Sequence, residues 1–235
     1  MEWYEKYDFN ENPFENFKNK TIGYEEILEE MFYAIMAGNM VFLEGEEGSG
    51  KTQLLREIIY NFGGYGKVIY VNCKLLDKEL NVERLLKERY GILGKFFNKK
   101  PRNMILLLDN IEYLSKENAE RIKYYYDQNY LRTVIFASSD MSNVGLHPSI
   151  EQRISKKVKL PKLSEYEAVQ VVRERVGDEL LSDRTIKEIY RMSGRNNRNF
   201  LKNCEKVCSV VGDTKDLPEK EVKKIIDSEE VMVAK

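Results

Sequence analysis

Histidine occurs once in the 235 residues, at His147, cysteine three times and proline five times. Nowhere do apolar residues run unbroken for the roughly 18 positions that a membrane-spanning helix needs. Cys73, Cys204 and Cys208 cannot all pair, and their spacing matches no disulfide framework. Cys204 and Cys208 stand four apart on one expected helix face. The further ligands of a metal site are missing, so they read as small packing residues. The first residues, Met1-Glu2-Trp3-Tyr4-Glu5-Lys6, lack the basic start and apolar stretch of a secretory signal, which predicts a cytoplasmic protein without membrane contact. A dominant charge sign is missing too. Lys and Arg number 38 against 39 Asp and Glu, a formal net charge of −1. That excludes a surface coated in positive charge for nonspecific nucleic-acid binding, though not a local basic patch. Glutamine is scarce beside abundant Lys and Glu, a bias that leans toward a thermophilic source.

What is present describes a globular chain, 42% hydrophobic and 33% charged, long enough for one larger domain and a small one. After an aromatic- and Asn-rich start with a turn at Asn12-Pro13-Phe14, residues 24–37 carry Ile27, Leu28, Met31, Ile35 and Met36 at helical spacing. Gly38-Asn39 ends that helix. Short apolar strands are predicted at Met40–Leu43, Val68–Val71, Met104–Leu108 and Thr133–Ala137, with a fifth at Lys157–Leu160. Helical stretches at 51–62, 79–90 and 115–128 separate them. Strands that alternate with helices and are apolar on both faces predict an α/β fold, a parallel five-stranded sheet flanked by helices. Beyond Pro161 the pattern is helical only. Ser164 and Glu167 form a capping-box signature, and further helices are predicted at 183–192 and 197–211. The expected organisation is therefore an α/β domain over 1–160, a small all-helical lid over 161–212 and a charged tail over 213–235.

The chemistry is concentrated in five places. Residues 45–52, Gly45-Glu46-Glu47-Gly48-Ser49-Gly50-Lys51-Thr52, fit G-x-x-x-x-G-K-[ST] between an apolar strand and a helix. Glycines let the backbone N–H groups wrap a phosphate, and the helix N-terminus adds positive potential. Lys51 is expected on the β- and γ-phosphates of ATP, Thr52 on Mg2+, and Gln53 follows in the same site. Asp109 ends an apolar strand one strand–helix unit downstream, where a carboxylate holds the metal or its water. Asn110 follows it in place of an acid; an amide orients water but cannot accept its proton. Glu112 is the nearest acid that substitutes, so slow or partner-dependent turnover is expected. Ser138-Ser139-Asp140 is either a γ-phosphate contact or merely a polar strand end. Arg153, just before the last strand, either completes a neighbouring subunit's site or sits in a surface salt bridge. Ser193-Gly194-Arg195-Asn196-Asn197-Arg198 suits a helix–helix turn from which Arg198 folds back on a nucleotide.

In this order the five elements resemble the AAA+ P-loop ATPases, over about residues 10–210. The finer match is to the DNA-associated branch of archaeal origin-recognition initiators and ExeA/TniB/TnsC-type ATPases. It is carried by Asn12-Pro13-Phe14, by Gln152-Arg153-Ile154 through Leu160-Pro161-Lys162-Leu163-Ser164, and by Ser193 through Arg198. The resemblance implies an oligomeric ATPase that uses ATP/ADP and Mg2+. It makes Ser138 or Ser139 the first sensor, Arg153 an arginine finger acting in trans, Arg198 the second sensor, and Ile22 and Gly23 neighbours of the adenine. The departures are Asn110 and the lack of a winged-helix domain after the lid, where only residues 213–235 follow.

Two segments are candidates for partners. Lys95-Phe96-Phe97-Asn98-Lys99-Lys100-Pro101-Arg102 interleaves bases with aromatics, which suits DNA, or is a solvated loop whose phenylalanines tuck into the core. Tyr124-Tyr125-Tyr126 cannot all face inward from one helix, so at least one is expected on a protein interface. The tail is read as a short partner-docking helix or a frayed end. Two functions follow: an ATPase that controls a DNA-associated assembly, or a nucleotide-gated signalling or scaffold module with little hydrolysis and no DNA role.

Overall fold

The computed structural model describes residues 2–15, 21–63, 66–76, 80–88, 101–212 and 215–228. The chain forms two compact units. One comprises Tyr24–Glu46 and Lys51–Leu160; the other comprises Met1–Gly23, Glu47–Gly50 and Pro161–Lys235.

The first unit is built on five parallel strands, β1 (Met40–Glu44), β2 (Val68–Asn72), β3 (Met104–Asp109), β4 (Leu131–Ser138) and β5 (Ile154–Lys159). They lie in the order β2-β3-β4-β1-β5. Because β4 stands between them, β1 and β3 are not neighbours. β3 is buried along its whole length, as expected of a strand paired on both edges and covered on both faces. Phe42, Ile69, Leu106, Leu108, Ile122, Val134 and Phe136 belong to the main core of this unit, and each such burial contributes about 1.5–3 kcal/mol. Helices α1 (Glu25–Ala37), α2 (Lys51–Phe62), α3 (Val82–Glu88), α4 (Lys116–Asp127) and the single turn α5 (Pro148–Glu151) complete it. Gly38, at φ +79°, ends α1 in the left-handed region, where a glycine carries no penalty.

Two strands start earlier than their apolar runs predict. β4 begins at Leu131, which pairs with Met104 ahead of an irregularity at Arg132. β5 begins at Ile154, opposite Met40, with Ser155 bulged out and donating its hydroxyl to the Met40 carbonyl at 3.3 Å. In both cases one buried apolar residue sits beyond a polar one, so local periodicity does not count it.

The second unit contains α6 (Glu165–Val176), α7 (Asp183–Met192), α8 (Asn197–Val210) and α9 (Glu219–Asp227). The expected capping box opens α6: the Ser164 hydroxyl accepts from the Glu167 N–H at 3.2 Å, and the Glu167 carboxylate accepts from the Ser164 N–H at 2.6 Å. Tyr190 and Phe200 form a fully buried edge-to-face pair with centroids 5.0 Å apart. Cys204 and Cys208 are buried packing residues of α8.

At its two ends the chain is organised differently from the sequence reading. Residues 2–15 belong to the helical unit: Trp3 stacks on Phe14, Tyr7 donates to the Val211 carbonyl at 2.9 Å, and Arg175 donates to the Pro13 carbonyl at 2.9 Å. The segment read as a charged tail carries α9, whose Val222 and Ile225 are buried together with Leu217. Its apolar residues are few but recur at i, i+3, enough to complete an existing core though not to form one. Among the described residues no helix is long and apolar enough to cross a membrane.

Candidate nucleotide-binding site

In the sheet unit the polar residues gather at the C-terminal ends of the strands, where open α/β sheets place their ligands. Lys51, the first residue of α2, is buried, and its ammonium donates to the carbonyls of Gly45 at 2.6 Å and Glu46 at 3.1 Å. Gly45 itself donates its N–H to the Ser138 carbonyl at 3.2 Å, fixing the loop to the tip of β4. The Thr52 hydroxyl donates to Asp109 Oδ2 at 2.7 Å. Asp109 is almost wholly buried, and two further donors serve its carboxylate: the Tyr70 hydroxyl on Oδ2 at 3.0 Å and the Asn110 N–H on Oδ1 at 3.0 Å. Three donors thus meet the hydrogen-bonding needs of this buried carboxylate. Burial first, and then the Asp109 carboxylate beside it, push the Tyr70 phenol up to about 12, so its hydroxyl is a donor throughout the neutral range.

Asn110 sits at φ 56°, ψ 51°, a left-handed conformation that asparagine tolerates better than glutamate does. Its side-chain amide donates to Asn72 Oδ1 at 2.9 Å. Glu112 accepts a hydrogen bond from the Ser138 hydroxyl at 2.8 Å. Ser138 is therefore the serine joined to this cluster, while Ser139 is exposed beyond the end of β4. Arg153 makes a bidentate pair with Asp127, at 3.0 and 3.1 Å, and a 2.8 Å bond to the Ser149 carbonyl.

In the helical unit the loop tip Glu47–Gly50 meets the N-terminus of α8. Three successive residues serve three successive carbonyls: the Asn196 amide donates to Glu47 O at 2.6 Å, the Arg198 N–H to Gly48 O at 3.1 Å, and the Asn197 amide to Ser49 O at 2.7 Å. The Arg198 guanidinium also pairs with the Glu47 carboxylate. Gly48 has φ +80°, and a Cβ there would lie 2.4 Å from Asn196 Oδ1 and 3.0 Å from Arg198 Cβ. Glycine is required at that position for both backbone and space. Gly23, at φ +81°, is pressed against Leu163 in the same way, with a Cβ at 2.5 Å, and Ile22 beside it is half-buried.

The family model described as "AAA domain" matches residues 37–169, more than half of the chain. The chain belongs to the AAA domain family. No curated protein matches this AAA domain chain in sequence. Among solved structures, it is similar to Thermotoga maritima RuvB, a Holliday junction branch migration motor. That match has a TM-score of 0.64 and 18% identity, and covers 88% of this chain and 69% of that one. It is also similar to Aeropyrum pernix Orc1 in complex with DNA, with a TM-score of 0.70, 15% identity, and 90% and 66% of the two chains. A third is domain III of the Thermotoga maritima replication initiation protein DnaA, with a TM-score of 0.61, 19% identity, and 92% and 99% of the two chains. At these identities the likeness is one of fold, and the chain spans about two thirds of the RuvB and Orc1 chains.

Four residues of the clusters escaped the sequence reading as functional positions: Tyr70, Asn72, Asn196 and Asn197. One signal was present. Asn72, like Asp109 and Ser138, is a polar residue closing an otherwise apolar strand, and in a parallel sheet such residues share one edge. The basic segment 95–102 lies outside the described residues except for Pro101 and Arg102, whose guanidinium stands 5.6 Å from the Tyr130 ring centroid. Of the three tyrosines, Tyr124 is exposed, whereas Tyr126 donates to the Gly38 carbonyl at 2.7 Å.

Proposed function

We propose that this AAA domain protein binds ATP with Mg2+ between the subunits of an oligomer, and that slow or partner-stimulated hydrolysis controls a DNA-associated assembly of replication, recombination or transposition type. The observation that carries the nucleotide reading is the 2.7 Å bond between Thr52 and Asp109. A hydroxyl from the first turn of α2 and a buried carboxylate from β3 present hard oxygen donors, the ligand chemistry that suits Mg2+. When bound, Mg2+ neutralises charge on the phosphates of ATP.

The remaining chemistry belongs to the side chains. Lys51 exchanges its two carbonyl partners for phosphate oxygens, which are stronger acceptors because they are charged. Asn110 orients a water but takes no proton from it. Glu112, two residues beyond the usual position of the acid, is the proton acceptor in this reading, and its carboxylate accepts from the Ser138 hydroxyl. Slow turnover follows. Arg153 exchanges Asp127 for a neighbour's γ-phosphate, and Arg198 serves as the second sensor. The DNA role is supported by the basic segment ending at Arg102 and by fold relatives that include an Orc1 solved with DNA.

A second reading, a nucleotide-gated scaffold with little hydrolysis, is favoured by one observation: the Asn110 amide is already held by Asn72. ATP turnover by the purified protein, alone and with single- or double-stranded DNA, separates the two, with Lys51→Ala as control. DNA-stimulated, Lys51-dependent hydrolysis supports the first. Tight ATP binding without turnover under any condition supports the second, and loss of the first follows.

A further inference from the structure

Asp109 is approached from two sides by hydroxyls, and only one of them belongs to the motif that the sequence displays. Thr52 comes from the first turn of α2. Tyr70 comes from β2, the edge strand beside β3. In the parallel register Tyr70 stands opposite Leu107 and Asn72 stands opposite Asp109, so Tyr70 and Asp109 are diagonal neighbours on one face of the sheet. Diagonal partners are about 7–8 Å apart at the backbone, within reach of a tyrosine hydroxyl but beyond that of serine or threonine. The alternate residues Ile69 and Val71 point into the core on the other face, which fixes the direction of Tyr70.

We propose that Tyr70 is a positioning residue for the metal site: its hydroxyl, sharing Oδ2 with Thr52, holds the Asp109 carboxylate in the orientation that receives Mg2+. The inference rests on the assignment of Asp109 and Thr52 to the metal in the proposed function. The Asn110 N–H pins Oδ1 and Thr52 pins Oδ2 only while its hydroxyl hydrogen points there. Tyr70 supplies a donor on Oδ2 that is independent of the phosphate loop. Hydrogen bonds of this outer kind change metal affinity by about 10–100-fold when they are removed.

The experiment is binding of a fluorescent ATP analogue to the full chain, titrated with Mg2+ and repeated in EDTA, for the wild type, Tyr70→Phe, Tyr70→Ser and Lys51→Ala. Expected for Tyr70→Phe is a rise of about tenfold or more in the half-saturating Mg2+, with affinity in EDTA unchanged. Tyr70→Ser should match it, because its hydroxyl cannot span the diagonal. Half-saturation at the wild-type Mg2+ concentration in Tyr70→Phe overturns the proposal. So does an equal loss of affinity in EDTA, which marks a purely structural role. A wild type that binds the analogue with no response to Mg2+ overturns the metal site itself, and a wild type that binds no better than Lys51→Ala overturns the nucleotide reading beneath it.

Discussion

The Arg198 guanidinium donates to the Glu47 carboxylate at 2.7 Å, and the two residues belong to the second sensor and the phosphate loop suggested by the sequence. The carboxylate holds Arg198 as an anionic phosphate group would, so the loop carries an internal competitor for the arginine assigned to read the nucleotide. Glu47→Gln is expected to tighten ATP binding about threefold, an exposed ion pair being a weak competitor. ADP binding should change less, and the gain should vanish in an Arg198→Ala background. Calorimetric titration of the four proteins closes that cycle. Gly48→Ala should act oppositely, because it adds a side chain against Asn196 at a left-handed backbone position.

Glu112 stands two residues beyond Asn110, and the Ser138 hydroxyl holds it. If it accepts the proton, Glu112→Gln lowers residual hydrolysis by about a hundredfold while ATP binding is unchanged. Steady-state phosphate release with a parallel binding assay measures both quantities. Equal turnover in the variant assigns the proton elsewhere.

Burial pushes the Cys73 and Cys208 thiols up to about 12 and the Cys204 thiol well up from its ordinary value. In Cys73 the Asp109 and Glu112 carboxylates add to the effect. Thiolate is the reactive form, so all three should resist a thiol reagent at pH 8 and react together on unfolding. The sign for stability follows from raised values. The protonated thiols contribute fully below the unfolded value of 9.0, and the contribution is lost as pH rises towards about 12. Thiol titration of native and denatured protein checks the first statement, and denaturant melts between pH 8 and 11 the second.

The terminal helix α9 is integral to the helical unit through Val222 and Ile225. Ile225→Ala should destabilise that unit by about 2 kcal/mol, the low end for a residue at the margin of a core. A fall of about 4–8 °C in the melting temperature corresponds to this for a chain of this size. Unchanged melting would return the segment to the status of a frayed tail.

Much of the fold is legible locally. The helices at 51–62 and 183–192 appear with the bounds their periodicity predicts, since a continuous 3.6-residue pattern ends at recognisable turns. The capping box at Ser164 and Glu167, the loop from Gly45 to Thr52 and the apolar strand ending in Asp109 are equally plain. Where the reading fell short, the partner lies far away in the chain. Arg153 shows nothing in its own neighbourhood of Asp127, to which it is bound, and Asn110 shows nothing of Asn72, 38 residues earlier.

The sequence by itself determined the glycine loop from Gly45 to Thr52 and the apolar strand that ends in Asp109, because the conformations and donors concerned are set by runs of a few residues: glycines, an ammonium, a hydroxyl and a carboxylate that ends a strand. The tertiary structure alone decided the strand order that inserts β4 between β1, which leads into Gly45, and β3, which ends in Asp109. It also decided the diagonal register that brings Tyr70 to Asp109, and the meeting of Glu47, Gly48 and Ser49 with Asn196, Asn197 and Arg198. Those pairings join segments whose local patterns are satisfied by many arrangements, and only the packing within each unit selects among them.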